Sequence, residues 1–539
     1  VTSDRARAYG VAAIIGTAWV AYAVPWATLC GTGGVFTYPN GDLPMHLGGH
    51  LALQVPGWHW PLLRAPVLAW PRGESVAMTD SNPLLSLLAK LVAGAAGHAV
   101  NLFGVWLAFC YVMQPLCAVY LLRGFFRAAP ARRLNSVVAA AAAAVLALLL
   151  PEYLFRVIHI NLLGQFLLLM ALGQAVRSYL AGGMPRFAPM AGLLIAAVLI
   201  HPYLFIFCAL ILAAPVLALA LRRDAGTRPA LRLLGLAVLL PPGIFVLLSG
   251  SLGAGGPGYG LYSTNLLSPV WPQRSGLFGS ALPILDATGY QYEGFNYLGA
   301  GALLVLAAAG GVLARAGRAA RRDIVARHAG LLLAGAALAA LAITPHVTFG
   351  TWIDIPFQPA LLERLFAVVR ASGRAIWAVD YAVIIGALGL LAAHLPARFF
   401  LPLAAAAIAL QWLDTAPLRR DARLYYAGAG QYRPAFAIPA GATLFRALPL
   451  CGPEEVVATE YRLLALRAGV RLANMRLTHA PPDAVCGAVL RAGLNTVLEP
   501  GETRLFMPSV RADVQRAALG DAACFNTAVG LVCHRPAGT

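Results

Sequence analysis

The stretch RFAPMAGLLIAAVLIHPYLFIFCALILAAPVLALALRR occupies residues 186–223. Between its flanking arginines it carries no Asp, Glu, Lys or Arg. Residues 187–221 are long for one membrane crossing, which takes about 20 apolar residues, and short for two. The motif His201-Pro202-Tyr203 breaks the run where proline favours a turn. Arg177 and Arg186 precede it, and Arg222, Arg223, Arg228 and Arg232 follow it. Arginines near span ends favour the cytoplasmic side, so both groups belong there and the run must cross twice.

The same reading extends along the chain. Other apolar segments bounded by arginines lie at 8–36, 98–122, 134–151, 157–176, 233–250, 295–314, 329–343, 375–397 and 399–413. With the doubled run they predict eleven spans, a cytoplasmic N-terminus at Arg5 and Arg7, and a C-terminus on the outer side. The expected fold is a polytopic α-helical membrane protein of about 11 transmembrane helices with a small C-terminal extracytoplasmic α/β domain. The transmembrane domain is 1–413, with outer loops at 37–97, 251–294 and 344–374, and 414–539 is the outer domain. Its EEVVATEY (454–461), NTVLEP (495–500) and TRLFMP (503–508) look strand-like, and YRLLALRAGVRL (461–472) looks helical. SLGAGGPGYG (251–260) is a lid or a linker.

Composition supports a membrane protein: 60% of the 539 residues are hydrophobic and only 12% are charged. The net charge of +18 reads as topology rather than nucleic-acid binding, since no patch interleaves aromatic and basic residues. Cys30, Cys110, Cys117 and Cys208 lie in or beside apolar segments and read as packing residues. Cys451, Cys486, Cys524 and Cys533 lie in the polar C-terminal part and suit two disulfides, Cys524 with Cys533 and Cys451 with Cys486, in an oxidising compartment.

Polar residues gather at the expected outer ends of the spans. YPNGDLPMHLGGHLALQ (38–54) sets Asp42, His46 and His50 after the first apolar segment. Asp80 precedes an amphipathic stretch that would lie along the interface. Glu152, Arg156 and His159, then His201 and Tyr203, then Tyr262, Glu293, Arg370, Arg374, Trp377 and Asp380 complete the set. Each has a plainer explanation as a helix cap, a snorkelling anchor or a packed histidine. Ionisable groups at membrane depth are nevertheless functional candidates. No G-x-S-x-G, Walker loop or H-E-x-x-H is present. A carboxylate base beside arginines and an apolar groove suits a lipid-phosphate donor, because phosphate leaves without protonation and arginine forks neutralise it.

At this point the chain resembles the GT-C class of glycosyltransferases, which use polyprenyl-phosphate sugars and keep a catalytic acid in the first outer loop. NGDLPMHLGGH (40–50) occupies that place. TDSNPLLSLLAKL, RVIHINLLGQFLLLMALG, GLYSTNLLSPVWP, YEGFNYLGAGALL and RASGRAIWAVDYA look more narrowly like a bacterial family of GT-C-like membrane proteins, over about 1–415. The resemblance implies an inverting transferase on the outer face of the bacterial inner membrane, with a periplasmic C-terminal domain. It would move a sugar from a polyprenyl-phosphate to an envelope glycan or glycolipid acceptor.

Under that reading Asp42 is the general base, and Arg156, Arg370 and Arg374 meet the lipid phosphate. His46, His50, His159, His201, Tyr262 and Trp377 shape the sugar and acceptor pocket. Many members of the class carry paired acids in this loop, whereas Leu43 follows Asp42 here. A second acid would then come from Asp80 or Glu293, and the use of a divalent metal stays open. Two alternatives are a transporter or flippase of a lipid-linked saccharide, and a membrane acyl or headgroup transferase with a histidine base such as His201.

Overall fold

The computed structural model describes residues 2–537 apart from 132, 253–258, 280–281, 284, 358–368, 432, 451, 476–482 and 516–518. The side chains of residues 2, 3, 133, 483–486, 488 and 489 are also outside the description. The pairing expected of Cys451 with Cys486, and much of the loop 251–260, therefore lie outside the described residues.

Apolar helices dominate. Among the described residues, seven are long and apolar enough to cross a membrane: Phe103–Phe125, Ile160–Leu180, Pro202–Leu221, Thr227–Ser249, Arg318–Ile343, Ser372–His394 and Ala397–Asp414. An eighth arises if Leu134–Leu148 and Pro151–Ile158, bent by 44°, form one span. The helices Phe187–Ile200 and Ala300–Arg315 are apolar but shorter. This is a helical membrane protein. The break expected inside 187–221 falls at His201, which is extended between two helices and accepts a hydrogen bond from the Tyr203 N–H.

The first apolar segment ends sooner than expected. Its helix, Thr2–Ala23, stops before Pro25 rather than reaching Phe36. Proline lacks an N–H and disfavours helix in the residue before it, so 24–36 form a four-residue helix, Trp26–Leu29, and a 3-10 turn, Gly34–Phe36, instead.

Two small hairpins decorate the loops: β1 (Arg64–Ala65) with β2 (Glu74–Ser75), and β3 (His346–Phe349) with β4 (Ile353–Pro356). The C-terminal part contains one sheet of β5 (Leu444–Leu448), β6 (Arg471–Leu472), β7 (Glu502–Phe506), β8 (Ala523–Thr527) and β9 (Gly530–His534). Their spatial order is β6-β5-β7-β9-β8, with β5 parallel to β6 and β7 and the remaining pairs antiparallel. Cys524 and Cys533 face each other across β8 and β9 and are joined by a disulfide.

EEVVATEY is not a strand. It opens the helix Glu455–Arg467, whose Ala458, Tyr461, Arg462 and Ala465 are buried at helical spacing. Arg462 closes onto Glu455 two turns earlier. NTVLEP is mostly irregular, whereas TRLFMP contains most of β7.

One core joins the loop 37–97 to this sheet. Met45, Ala52 and Leu53 from the helix Leu43–Leu53 share a buried cluster with Leu63, Leu68, Phe445, Tyr461, Leu472 and Leu505. The loop holding Asp42 is thereby clamped from above. The helix Ala416–Tyr426 instead packs against the membrane helices. The Tyr426 hydroxyl lies 2.7 Å from that of Tyr111, and its carbonyl accepts from Thr28 at 2.7 Å.

Candidate functional site

Six segments far apart in sequence, around Asp42, Asp80, Arg156, His201, Glu293 and Arg374, converge at one end of the membrane helices. The first is the start of the helix Leu43–Leu53. Asp42 stands at its N-cap, yet its side chain makes no capping bond. The carboxylate is 34% exposed, and one oxygen lies 3.4 Å from His159 Nδ1. His46, one turn on, is buried, and its Nδ1 is 2.5 Å from the carbonyl of Asp80. Gly49 makes this approach possible: a Cβ there would lie 1.9 Å from Thr79 Oγ1. Any larger residue would push the Thr79–Ser81 turn, and Asp80 with it, away from His46.

Asp80 does not cap the next helix; Asn82 does, accepting from the Leu85 N–H at 3.0 Å. Asp80 instead adopts a left-handed conformation, φ 54°, uncommon for a residue with a side chain. That aims its carboxylate at two imidazoles, 3.4 Å from His201 Nε2 and 3.9 Å from His46 Nε2. Burial pushes the Asp80 carboxyl up, but His201, His46 and His159 together outweigh it and hold the group well below the usual carboxylate range.

The third segment carries Arg156, His159 and Asn161. Arg156 is fully buried; it ion-pairs with the Glu293 carboxylate and donates to the Glu293 carbonyl at 2.9 Å. His159 places Nε2 3.1 Å from Glu293 Oε1. Asn161 donates to the Asp80 carbonyl and joins the two halves of the cluster.

The last segment brings Arg374, from the short 3-10 turn Ser372–Ile376. Its Nε and Nη2 lie 3.0 and 2.9 Å from Glu293 Oε2. Gly373 allows the contact, since a Cβ there would meet Tyr262 O at 2.6 Å and Gly294 Cα at 2.8 Å. Burial alone would push the Glu293 carboxyl up, yet Arg156, Arg374 and His159 hold it well below its usual range. Glu293 does not cap the following helix, which starts at Ala300 behind Gly299.

Several expectations change. His50 is fully buried away from the cluster, between Ser86 Oγ at 3.1 Å and the Phe103 ring at 4.8 Å. Burial pushes its imidazole down to about 4. Trp377 is fully buried too, with the Arg156 guanidinium 5.2 Å from its ring. Neither lines an open pocket, because burial consumes the surface a ligand would need. Arg370 lies just before the 3-10 turn that carries Arg374, with its guanidinium over the Tyr262 ring at 5.6 Å. Asp380 belongs to a different polar group. It lies near Glu152, and Asn296, with its amide nitrogen toward them, donates to both, at 2.7 Å to Glu152.

Asn161 and Asn296 were not singled out from sequence. Asn161 stands two residues after His159, and that spacing was its only local signal. Among the described residues, no group of three or more His, Cys, Asp or Glu has the arrangement to hold a metal ion.

A mostly apolar cavity of about 1050 Å³, lined by none of the cluster's residues, lies among several membrane helices. Along the helix Trp377–His394 its lining begins at Ala378, one turn past Arg374, and ends at His394. At 1.5 Å per residue this is about 24 Å of helix.

The fold and the site together define a polytopic helical membrane protein with a buried acid–histidine–arginine cluster at one end of its helices. The chain belongs to the family described as domain of unknown function DUF6311, whose model matches residues 13–416. All six segments of the cluster fall within that match. No curated protein matches the chain.

Proposed function

We propose that this protein is a GT-C-like glycosyltransferase that moves a sugar from a polyprenyl-phosphate donor to an envelope glycan or glycolipid acceptor. The observation that carries the reading is the chain Asp42–His159–Glu293, backed by Arg156 and Arg374. His159 faces a carboxylate from each ring nitrogen, and both contacts are donor bonds only when the ring carries two protons. Such a bond would orient Asp42, while Glu293 is held by two guanidiniums.

Asp42, the most exposed of the three acids by its side chain, takes the proton from the acceptor hydroxyl. That oxygen forms a bond to the anomeric carbon as the bond from this carbon to the phosphate oxygen breaks, with inversion. The lipid phosphate leaves as an anion. Arg374, at the edge of the cluster, and Arg370 would meet it, whereas the fully buried Arg156 holds Glu293. The apolar cavity along 378–394 gives room for a polyprenyl tail.

The placement proposed with this function has eleven spans, adding Thr2–Ala23, Phe187–Ile200 and Ala300–Arg315 to the eight longer ones. The N-terminus is cytoplasmic and the C-terminal domain is in the periplasm of a bacterial inner membrane. The disulfide Cys524–Cys533 favours an oxidising compartment.

Transfer from a panel of polyprenyl-phosphate sugars in nanodiscs tests the reading, with donor binding measured on the same preparation. Donor binding without transfer to any envelope acceptor would argue against it.

A second reading, transport of a lipid-linked saccharide, is favoured by Glu152 and Asp380, two buried carboxylates bridged by Asn296 at membrane depth. Sugar flux across sealed vesicles without covalent transfer would support it. A histidine-based acyl transfer at His201 fits less well, since Nδ1 accepts from Tyr203 and Nε2 faces Asp80.

A further inference from the structure

Lys90 is the only lysine in the chain and lies well away from the cluster described above. It sits on the helix Pro83–Ala96 and is 8% exposed. Its ammonium donates to the carbonyls of Leu53 at 2.7 Å and Val55 at 3.0 Å, which close the end of the Leu43–Leu53 helix. An ammonium has three hydrogens, so capping accounts for two. On another side lies the Trp58 ring, 5.0 Å away.

These groups wall a cavity of about 750 Å³ between the loop 37–97 and the helix Glu455–Arg467. Arg467 also borders it, but its guanidinium is engaged by the carbonyls of Phe36 and Thr37. No Asp or Glu occurs among the lining residues. The cavity therefore presents a shielded cation with no protein anion beside it, a costly arrangement that a bound anion relieves.

The rest of the wall is mostly apolar, including Val55, Val67, Leu466 and Val470. On the outside of the same helix, Leu88, Leu91 and Val92 are exposed, as are Trp58 and Trp60 nearby. Exposed aliphatics on a short amphipathic helix flanked by indoles are the pattern of a membrane–water boundary. An anion delivered there arrives on an apolar body.

We propose that this cavity binds an anionic amphiphile, with its charged head on the Lys90 ammonium beneath Trp58 and its apolar part along Val55, Val67 and Leu466. The site is separate from the donor site: the helix Leu43–Leu53 puts about 18 Å between the levels of Asp42 and Gln54. It does not depend on the transferase reading.

The test uses the full-length protein in phosphatidylcholine nanodiscs, titrated with brominated phosphatidylglycerol. Quenching at Trp58 is read as the difference between the wild type and Trp58→Phe, and retained lipid is counted by native mass spectrometry. Phosphatidylglycerol should quench and be retained, and phosphatidylcholine should not. Lys90→Met should weaken retention about tenfold, the loss of one charge-assisted contact.

Because Lys90→Met also removes two carbonyl caps, Gly94→Phe is the second variant. A side chain at Gly94 meets nothing within 4 Å, so the substitution fills the cavity without disturbing a hydrogen bond. It should also reduce retention. Equal quenching by both lipids would overturn the proposal, as would full retention in Gly94→Phe. Displacement of the lipid by a soluble uronic-acid oligosaccharide would make this a glycan site and overturn it equally.

Discussion

His159 Nε2 lies 3.1 Å from Glu293 Oε1 while its other nitrogen faces Asp42, so one imidazole ties an exposed acid to a buried one. The two acids should respond differently to loss of charge. Asp42→Asn keeps the size and removes the basicity. Transfer should fall about a hundred- to ten-thousand-fold. Donor binding and thermal stability should change little, since Asn keeps the size and the hydrogen-bonding oxygen of the side chain. Near-normal turnover would return Asp80 and Glu293 to consideration as the base.

Glu293→Gln should instead unfold the region. It leaves Arg156 and Arg374 buried without their shared anion, and breaking such a buried pair costs about 3–5 kcal/mol. A thermal melt in detergent should show a large drop. Glu293→Gln combined with Arg156→Met should recover part of it. If the double variant is no better than the single, the guanidinium is not the source of the cost.

The two kinds of buried group give opposite pH windows. The folded His50 value of about 4 is below the unfolded value of about 6.5, so the unfolded chain takes the proton first. Its contribution to stability is complete above about pH 6.5 and falls as the pH drops toward 4, by about 1.4 kcal/mol per unit. Glu293 and Asp80 are depressed carboxylates, so their contribution is present above about pH 4.5 and is lost below it. Denaturation followed from pH 8 to 3 should show both phases. His50→Gln should flatten only the upper one.

The turn at Asp80 makes a steric prediction. Asn tolerates the left-handed region and a β-branched residue does not. Asp80→Asn should stay folded and lose its grip on His201 and His46. Asp80→Val should cost at least about 1–2 kcal/mol more, from backbone strain. Equal melting temperatures for the two variants would show that φ at this position relaxes freely.

Removing the bridge with Cys524→Ser and Cys533→Ser opens a short loop, and an effect of about 2–3 kcal/mol is expected. On the wild type, thiol labelling without reductant should find neither residue. Labelling of both in protein prepared without reductant would remove one support for a periplasmic domain.

The membrane character was legible because charge-free runs are long and arginines punctuate them. The acids were legible for the same reason: Asp42, Asp80 and Glu293 stand out in so apolar a chain. Their partners were not. Arg156 and Glu293 are 137 residues apart, and nothing local joins them. Burial was equally hidden. His50 and His46 sit one turn apart on the same helix, yet one touches the cluster and the other is sealed against Ser86. Val456 and Val457 favoured a strand by residue type, but the buried face of Ala458, Tyr461 and Ala465 made a helix.

The outer edge of β6 is closed by the membrane part of the chain. The Leu472 N–H donates to the Val67 carbonyl at 2.8 Å, and the Trp70 N–H returns the bond to the Leu472 carbonyl at 2.8 Å. The sheet thus borrows its last rung from the loop that follows Asp42. The two parts are not interchangeable modules. Grafting a foreign C-terminal domain onto 1–413 would leave that loop without its template, and the sheet expressed alone would bare a strand edge ready to pair with a neighbour. Any change that loosens one end of this seam should be felt at the other, so relatives that alter 67–70 are expected to alter 471–472 in step.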